Sequence, residues 1–298
     1  MNFSYITRLQ DNLYVFRDDL YPFLGGGNKG RKIEYIAKDI ESKGCNAVVT
    51  TGGIQSNHCR ALAILAAAKK WKCTLVLHGD KNEFYEQSGN ARIIRLSGAK
   101  LIFVNDPDEI SDKMDEAMRE FEYEGYIPYY VYGGGHTFEG GLAYIDAVEQ
   151  MKNCCEKIKW FPEYVFLASG TGSTHAGILA GIDKYKLNLQ VIGISVARNR
   201  QRAEKIVEDF YNDLCREYKI ENRHNDIIVL DDYLCGGYGK YNDKIKELSK
   251  NSIIDYGFTL DTTYSGKAFY GMLDFVVKNN IKGNILFWHT GGIFNFLE

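Results

Sequence analysis

The stretch NAVVTTGGIQSNHCRALAILAAAKK, residues 46–70, reads as a strand, a turn and a helix in a single pass. A β-branched run over 46–51 meets Gly52-Gly53, which stops the strand, and an Ala-rich segment from Asn57 to Lys70 follows with helical character. The unit repeats. Strands are expected at 74–77, 100–104 and 129–132, and helices at 86–96, 107–123 and 140–152. Asp106 is placed to cap the helix at 107, with Pro107 at its first position. A second cycle places strands at 164–168, 191–196, 227–230 and 284–288, with helices at 174–185, 201–218, 242–251 and 266–278. Strands alternating with helices at this spacing imply βαβ crossovers and mostly parallel sheet, hence an α/β fold.

Composition narrows the function. At 298 residues the chain suggests one large or two small domains, and 45% hydrophobic with 25% charged residues is ordinary for a folded protein. Thirty-six Lys+Arg against 39 Asp+Glu leaves no basic excess, so no nucleic-acid partner is expected. The longest apolar run, 61–68, falls well short of the ~20 residues that cross a bilayer, so no membrane partner is expected either. The first residues show no basic segment leading into an apolar stretch, the mark of a signal peptide. Seven cysteines without C-x-x-C spacing read as free thiols in a reducing compartment, so a cytoplasmic location is expected. Six isolated histidines carry no zinc spacing, and no metal is expected.

The unusual counts are 30 Gly against 4 Pro, which suggest that the backbone approaches something closely at several turns. In open parallel sheets, ligands bind beyond the carboxyl ends of strands. Five glycine clusters follow or nearly follow a strand: Gly25-Gly26-Gly27, Gly52-Gly53, Gly133-Gly134-Gly135, Gly170-Thr171-Gly172 and Gly291-Gly292. Any one could be only a tight turn; five in one chain favour a shared small-molecule site.

Three segments carry candidate chemistry. Ser169-Gly170-Thr171-Gly172-Ser173-Thr174 follows the apolar strand YVFLA and opens a helix. A helix start offers unsatisfied N–H groups and a positive dipole end, so an isolated phosphate suits it; a plain Ser/Thr-capped turn is the alternative. A P-loop is excluded because no Gly-Lys-Ser/Thr closes the turn. A dinucleotide site lacks both the third glycine and an acid after the next strand. GGGNKGRK, residues 25–32, sets Lys29 in a glycine-rich turn. A buried lysine loses pKa and serves as an imine-forming nucleophile, whereas Lys29, Arg31 and Lys32 together also read as a basic surface turn. In GGIQSNHCR, residues 52–60, Ser56 or Asn57 can cap the next helix and leave first-turn N–H groups for a carboxylate. Capping alone would account for Asn57, and His58 is equally a packing histidine.

Taken in order, GGGNKGRKIEY, TTGGIQSNHCR, ASGTGSTHAG, CGGYGKYN, TTYSGKAFYGM and FWHTGG resemble the successive motifs of one family, from about residue 13 to 296. It is the D-cysteine desulfhydrase / 1-aminocyclopropane-1-carboxylate deaminase family, which uses pyridoxal 5′-phosphate on the two-lobed fold type II. The resemblance implies a large parallel-sheet lobe that binds the cofactor, 1–33 with 142–298, and a smaller inserted α/β lobe, 34–141. It implies that Lys29 forms the Schiff base and moves the α-proton, and that Asn57 bonds the ring hydroxyl. Thr171, Gly172, Ser173 and Thr174 would hold the phosphate, with Lys32. Ser56, with Gln55, Asn57 and His58, would take the substrate carboxylate. Tyr238 and Tyr264 match the two active-site tyrosines, although with 21 tyrosines in the chain they could be ordinary exposed or core residues. A homodimer acting on a small amino acid is the implied assembly.

Two further positions bear on the substrate. Deaminase members carry Glu where this chain has Ser265, and Leu where it has Thr290. A carboxylate against the pyridine nitrogen keeps the ring protonated and makes it a deep electron sink; a hydroxyl does not, which suits β-elimination. Asp261-Thr262-Thr263 stands where Asp-Pro-Val is usual, and the lysine motif lies closer to the first residue than is usual. The expectation is therefore a lyase of amino-acid metabolism that takes D-cysteine to pyruvate, ammonia and hydrogen sulfide. The rivals are ring-opening deamination, aminoacrylate-using β-replacement, and a non-catalytic phosphoanion-binding domain.

Overall fold

The computed structural model describes residues 5–223 and 226–297. The first described elements are a hairpin, β1 (Ile6–Gln10) and β2 (Leu13–Phe16), and the helix α1 (Gly27–Ser42). Next come β3 (Ala47–Gly53), α2 (Asn57–Lys69), β4 (Lys72–His78), α3 (Lys81–Glu86), α4 (Gly89–Leu96), β5 (Lys100–Val104), α5 (Ile110–Tyr123) and β6 (Pro128–Val131). The long α6 (Phe138–Ile158) leads into β7 (Tyr164–Ser169), α7 (Ser173–Lys184), β8 (Gln190–Ser195), α8 (Arg200–Glu217) and β9 (Ile228–Leu230). The last elements are α9 (Asp243–Tyr256), α10 (Ser265–Lys278), β10 (Ile285–Trp288) and the short α11 (Ile293–Phe296).

The chain divides into two compact units. The larger comprises residues up to Tyr21, Gly26–Asn28 and Gly141–Phe296; the smaller comprises Pro22–Gly25, Lys29–Gly140 and the residues from Leu297. The smaller unit has a four-stranded sheet in the order β5-β4-β3-β6, parallel throughout. Its strands are apolar on both faces, so two cores form. Ile33, Ile36, Leu62, Leu65 and Leu75 pack on one side, and Val49, Val76, Met114 and Phe121 on the other. The larger unit has a six-stranded sheet in the order β1-β2-β10-β7-β8-β9, parallel except for the β1–β2 hairpin. It too is covered on both faces, by one core around Tyr144, Val148, Leu179 and Trp288 and another around Phe166, Ile194, Phe269 and Phe287.

The mixed α/β class and the parallel sheets are those expected. Several elements differ in extent. The N-terminal hairpin and α1 were not foreseen. Gly25, Gly26 and Gly27 all adopt positive φ, but the helix begins on the last of them, because Ile33, Ile36, Ala37 and Ile40 form an apolar stripe that draws the segment into the core. The smaller unit already includes Pro22–Gly25 and resumes at Lys29. The helix expected at 86–96 is broken: Gln87 and Ser88 are extended, and α4 starts afresh at Gly89. At Pro107–Glu109 the chain makes a single 3₁₀ turn before α5. Finally, α6 runs past 152 because Cys155 continues its buried face.

Candidate active site

In the smaller unit, the expected residues gather at the carboxyl end of β3 and the first turns of α1 and α2. Lys29 lies in the first turn of α1, and its Nζ donates to the Gly134 carbonyl at 2.9 Å. Burial strips water from the ammonium and lowers its pKa to about 8, opposed only by the neighbouring Cys59. A carbonyl neutralises no charge, so this amine is readily deprotonated. Lys32, one turn on, is fully buried.

Ser56 caps α2. Its Oγ accepts from the Cys59 N–H at 3.2 Å, so the first turn of that helix is set by a side chain that is itself almost buried. The Oδ1 of Asn57 accepts from Asn90 Nδ2 at 3.0 Å. Gln55 points its side chain elsewhere. Its Nε2 donates to Gln87 Oε1 at 2.9 Å and to the Ser88 carbonyl at 3.2 Å, and its Oε1 accepts the Ala91 N–H at 3.1 Å. The amide therefore caps α4. His58 is buried against the sheet: its Nε2 meets Thr50 Oγ1 at 2.9 Å, and the threonine proton goes to the Val131 carbonyl at 2.7 Å. Nε2 must then carry the ring proton. Burial, with the positive charges of Lys29 and Lys32 nearby, holds the His58 pKa well below the usual range, so the ring is neutral. As side chains, Gln55 and His58 thus engage local partners.

In the larger unit, the turn Ser169–Thr174 joins β7 to α7. Gly172 occupies the N-cap with φ +86° and supplies no capping side chain. A Cβ there would come within 3.1 Å of Ile206 and 3.2 Å of Val207. Thr171 Oγ1 and Ser173 Oγ lie 3.4 Å apart. Asn28, immediately before Lys29, belongs with this unit. Its Nδ2 donates to Thr174 Oγ1 at 3.2 Å and its backbone N–H to the Thr290 carbonyl at 2.8 Å.

The tyrosines come together as well. The hydroxyls of Tyr238 and Tyr264 are hydrogen-bonded to each other, with ring centroids 5.8 Å apart at 71°. Buried Lys267 holds the loop before Tyr238 by donating to the Leu234 and Gly237 carbonyls, each at 2.9 Å. Buried Asp261 organises the start of α10. Its carboxylate accepts the N–H groups of Thr263, Tyr264 and Ser265 at 2.7–2.9 Å and the Ser265 hydroxyl at 2.6 Å, while Ser265 Oγ accepts the Asp261 N–H at 2.9 Å. Burial raises the Asp261 pKa against the pull of those bonds. A Cβ at Gly292 would lie 2.3 Å from Asp261 Oδ1, so the last Gly-Gly pair leaves room for this carboxylate.

Sequence reasoning missed Asn90, Asp261 and Lys267 as members of these clusters. Asp261 had a signal, an acid a few residues ahead of a helix start. Asn90 and Lys267 had none, because their roles depend on partners 33 and 30 residues away.

The chain belongs to the pyridoxal-phosphate dependent enzyme family, whose profile matches residues 3–291. A D-cysteine desulfhydrase of Klebsiella pneumoniae is 33% identical to it over 302 aligned positions, covering 97% of this chain and 90% of that protein. A second desulfhydrase from another strain of the species is 32% identical over 298 positions, with the same coverage. Among solved structures, one described as an ACC deaminase homologue superposes with a TM-score of 0.87 at 29% identity, covering 96% of this chain and 86% of that one. A hydrogen sulfide-producing enzyme from Fusobacterium nucleatum shares the fold, at a TM-score of 0.66 and 16% identity. These are neighbours of fold type II.

The donor set fits the cofactor. An amine of pKa about 8 is the nucleophile that an aldehyde requires. A helix N-terminus opened by a left-handed glycine and rich in hydroxyls suits a phosphate dianion.

Proposed function

We propose that the protein is a pyridoxal-phosphate-dependent lyase that removes hydrosulfide from D-cysteine by β-elimination, giving pyruvate and ammonia. The observation that carries the substrate reading is the hydroxyl at Ser265, buried at the start of α10, where a deaminase would present a carboxylate. Full-length similarity to D-cysteine desulfhydrases supports it.

When bound, pyridoxal phosphate supplies an aldehyde for amines and a conjugated ring that accepts electron density from the substrate α-carbon. The chain's residues do the rest. Lys29 Nζ holds the cofactor until substrate displaces it and then, as a free amine, takes the α-proton. Its lowered pKa leaves a far larger fraction unprotonated near neutrality than an ordinary lysine would have. Ser56 and the first-turn N–H groups of α2 receive the substrate carboxylate, which also meets the positive end of that helix. Gln55 and His58 add only backbone groups, since their side chains are committed elsewhere. Asn57 donates to the ring hydroxyl. Thr171, Gly172, Ser173 and Thr174, with Lys32, hold the phosphate. Thr290 flanks the ring with Ser265. The proton shared by Tyr238 and Tyr264 goes to the departing sulfur.

In the balanced reaction the Cα–H bond breaks to the lysine and the Cβ–S bond breaks with its electron pair on sulfur. The released 2-aminoacrylate takes up water to give pyruvate and ammonia. The seven unpaired cysteines support a reducing, cytoplasmic setting, and the family resemblance supports a homodimer.

The test is a panel of D- and L-cysteine, other β-substituted amino acids and aminocyclopropane-carboxylate, with sulfide, ammonia and keto acid measured together. Equal amounts of sulfide and pyruvate from D-cysteine are expected. Release of 2-oxobutanoate from the cyclopropane as the dominant activity would replace the proposal with a deaminase. New amino acids formed from added thiols would replace it with a synthase.

A further inference from the structure

Asn90 sits in the first turn of α4, wholly buried, and its amide is fixed by a group with only lone pairs to offer. Its Nδ2 donates one proton to the Gln55 carbonyl at 3.2 Å and the other to Asn57 Oδ1 at 3.0 Å. Turning the Asn90 amide over would set oxygen against the Gln55 carbonyl, so Nδ2 must face this way. Asn57 must in turn face Asn90 with its oxygen, which directs its own Nδ2 away from α4.

Asn90 pays for this arrangement, since its Oδ1 is buried without a partner among the described residues. A buried acceptor left unmade is unfavourable, so the amide is held here for its two donors, which serve the Gln55 carbonyl and Asn57 Oδ1. The scaffold holding Asn90 is equally specific. The break at Gln87-Ser88 lets α4 start at Gly89, and Gln55 clamps that start through Gln87, Ser88 and the Ala91 N–H.

We infer that Asn90 is a positioning residue for the cofactor: it locks the Asn57 amide with Oδ1 toward α4, so that Nδ2 is the end offered to the ring hydroxyl of pyridoxal phosphate. The inference rests on the reading of Asn57 given above. A donor at that oxygen stabilises it as an anion and favours the visible-absorbing form of the lysine-bound cofactor. An acceptor there favours the form that absorbs in the near ultraviolet. One buried asparagine thereby sets which form predominates.

The test uses Asn90→Asp. It carries at most one proton where asparagine carries two, so it cannot serve both the Gln55 carbonyl and Asn57 Oδ1. Asn90→Ser, also with a single proton, is the second variant if Asn90→Asp does not fold. Apoprotein is titrated with pyridoxal phosphate, and affinity and absorption spectrum are read for wild type, Asn90→Asp, Asn57→Ala and the double variant. The expected result for Asn90→Asp is affinity lower by about tenfold, the scale of one hydrogen bond to a charged group. The visible band should shift toward the near ultraviolet, and Asn90→Asp should add nothing in the Asn57→Ala background. An unchanged affinity and spectrum in Asn90→Asp would overturn the inference, as would an effect that persists undiminished without the Asn57 amide. If Asn57→Ala itself changes neither quantity, the reading of Asn57 fails, and the inference with it.

Discussion

Lys29 is kept in a place that costs it charge. An amine with a pKa of about 8 in the folded state and near 10.5 in the unfolded chain binds fewer protons when folded across that interval. Stability therefore rises with pH between the two values, and the full penalty applies below pH 8. Removing the charge should relieve it. Lys29→Met apoprotein is expected to be more stable than wild-type apoprotein at pH 7 by about 1–2 kcal/mol, after discounting for the partial exposure of the side chain. The gain should vanish above pH 10.5 in denaturant titrations at several pH values. A less stable variant at pH 7 would mean that the ammonium is not desolvated. In the sequence Lys29 stands out as a cation inside a glycine-rich turn, although Arg31 and Lys32 beside it also allow a basic surface turn. Its hydrogen-bond partner was not legible there: the Gly134 carbonyl lies 105 positions away and comes near only through the fold.

Among elements, the turn into α7 carries the sharpest demand on its backbone. Gly172 combines φ +86° with neighbours close enough to meet any Cβ, so Gly172→Ala must bear both left-handed strain and displacement of Ile206 and Val207. Strain alone is about 1–2 kcal/mol. The variant should lose stability by at least that much and bind pyridoxal phosphate at least tenfold more weakly, as read by fluorescence titration. A variant with unaltered affinity would argue that this turn does not hold the phosphate. The pattern of residues marked this turn clearly, as glycine and hydroxyl groups came directly between an apolar strand and an Ala/Gly-rich helix. It marked α1 less well, since the same Gly25–Gly27 cluster that ends one segment also begins the helix, and the stripe of Ile33, Ile36 and Ile40 had to outweigh it. The split between α3 and α4 was invisible for a related reason. Propensity carries a helix through Gln87 and Ser88, and only the clamp from Gln55 stops it there.

For the whole molecule, each unit has a sheet with an apolar core on either face. Alternating strands and helices sufficed to give that α/β class, because crossovers between parallel strands leave few other packings. Ligand linkage provides a global check. Pyridoxal phosphate at 100 times its dissociation constant should stabilise the chain by about 2.7 kcal/mol, measured as a shift in denaturation midpoint, provided it binds only the folded form. Lys29→Ala should shrink that shift at the same ligand concentration, and an equal shift in the variant would remove the lysine from the site. The most direct measurement is chemical. Holoenzyme is reduced with borohydride, digested, and its peptides weighed for the pyridoxyl label. The account predicts the label on the peptide that contains Lys29. A label on Lys32 or Lys267, the two fully buried lysines among the described residues, or on no lysine at all, would contradict it.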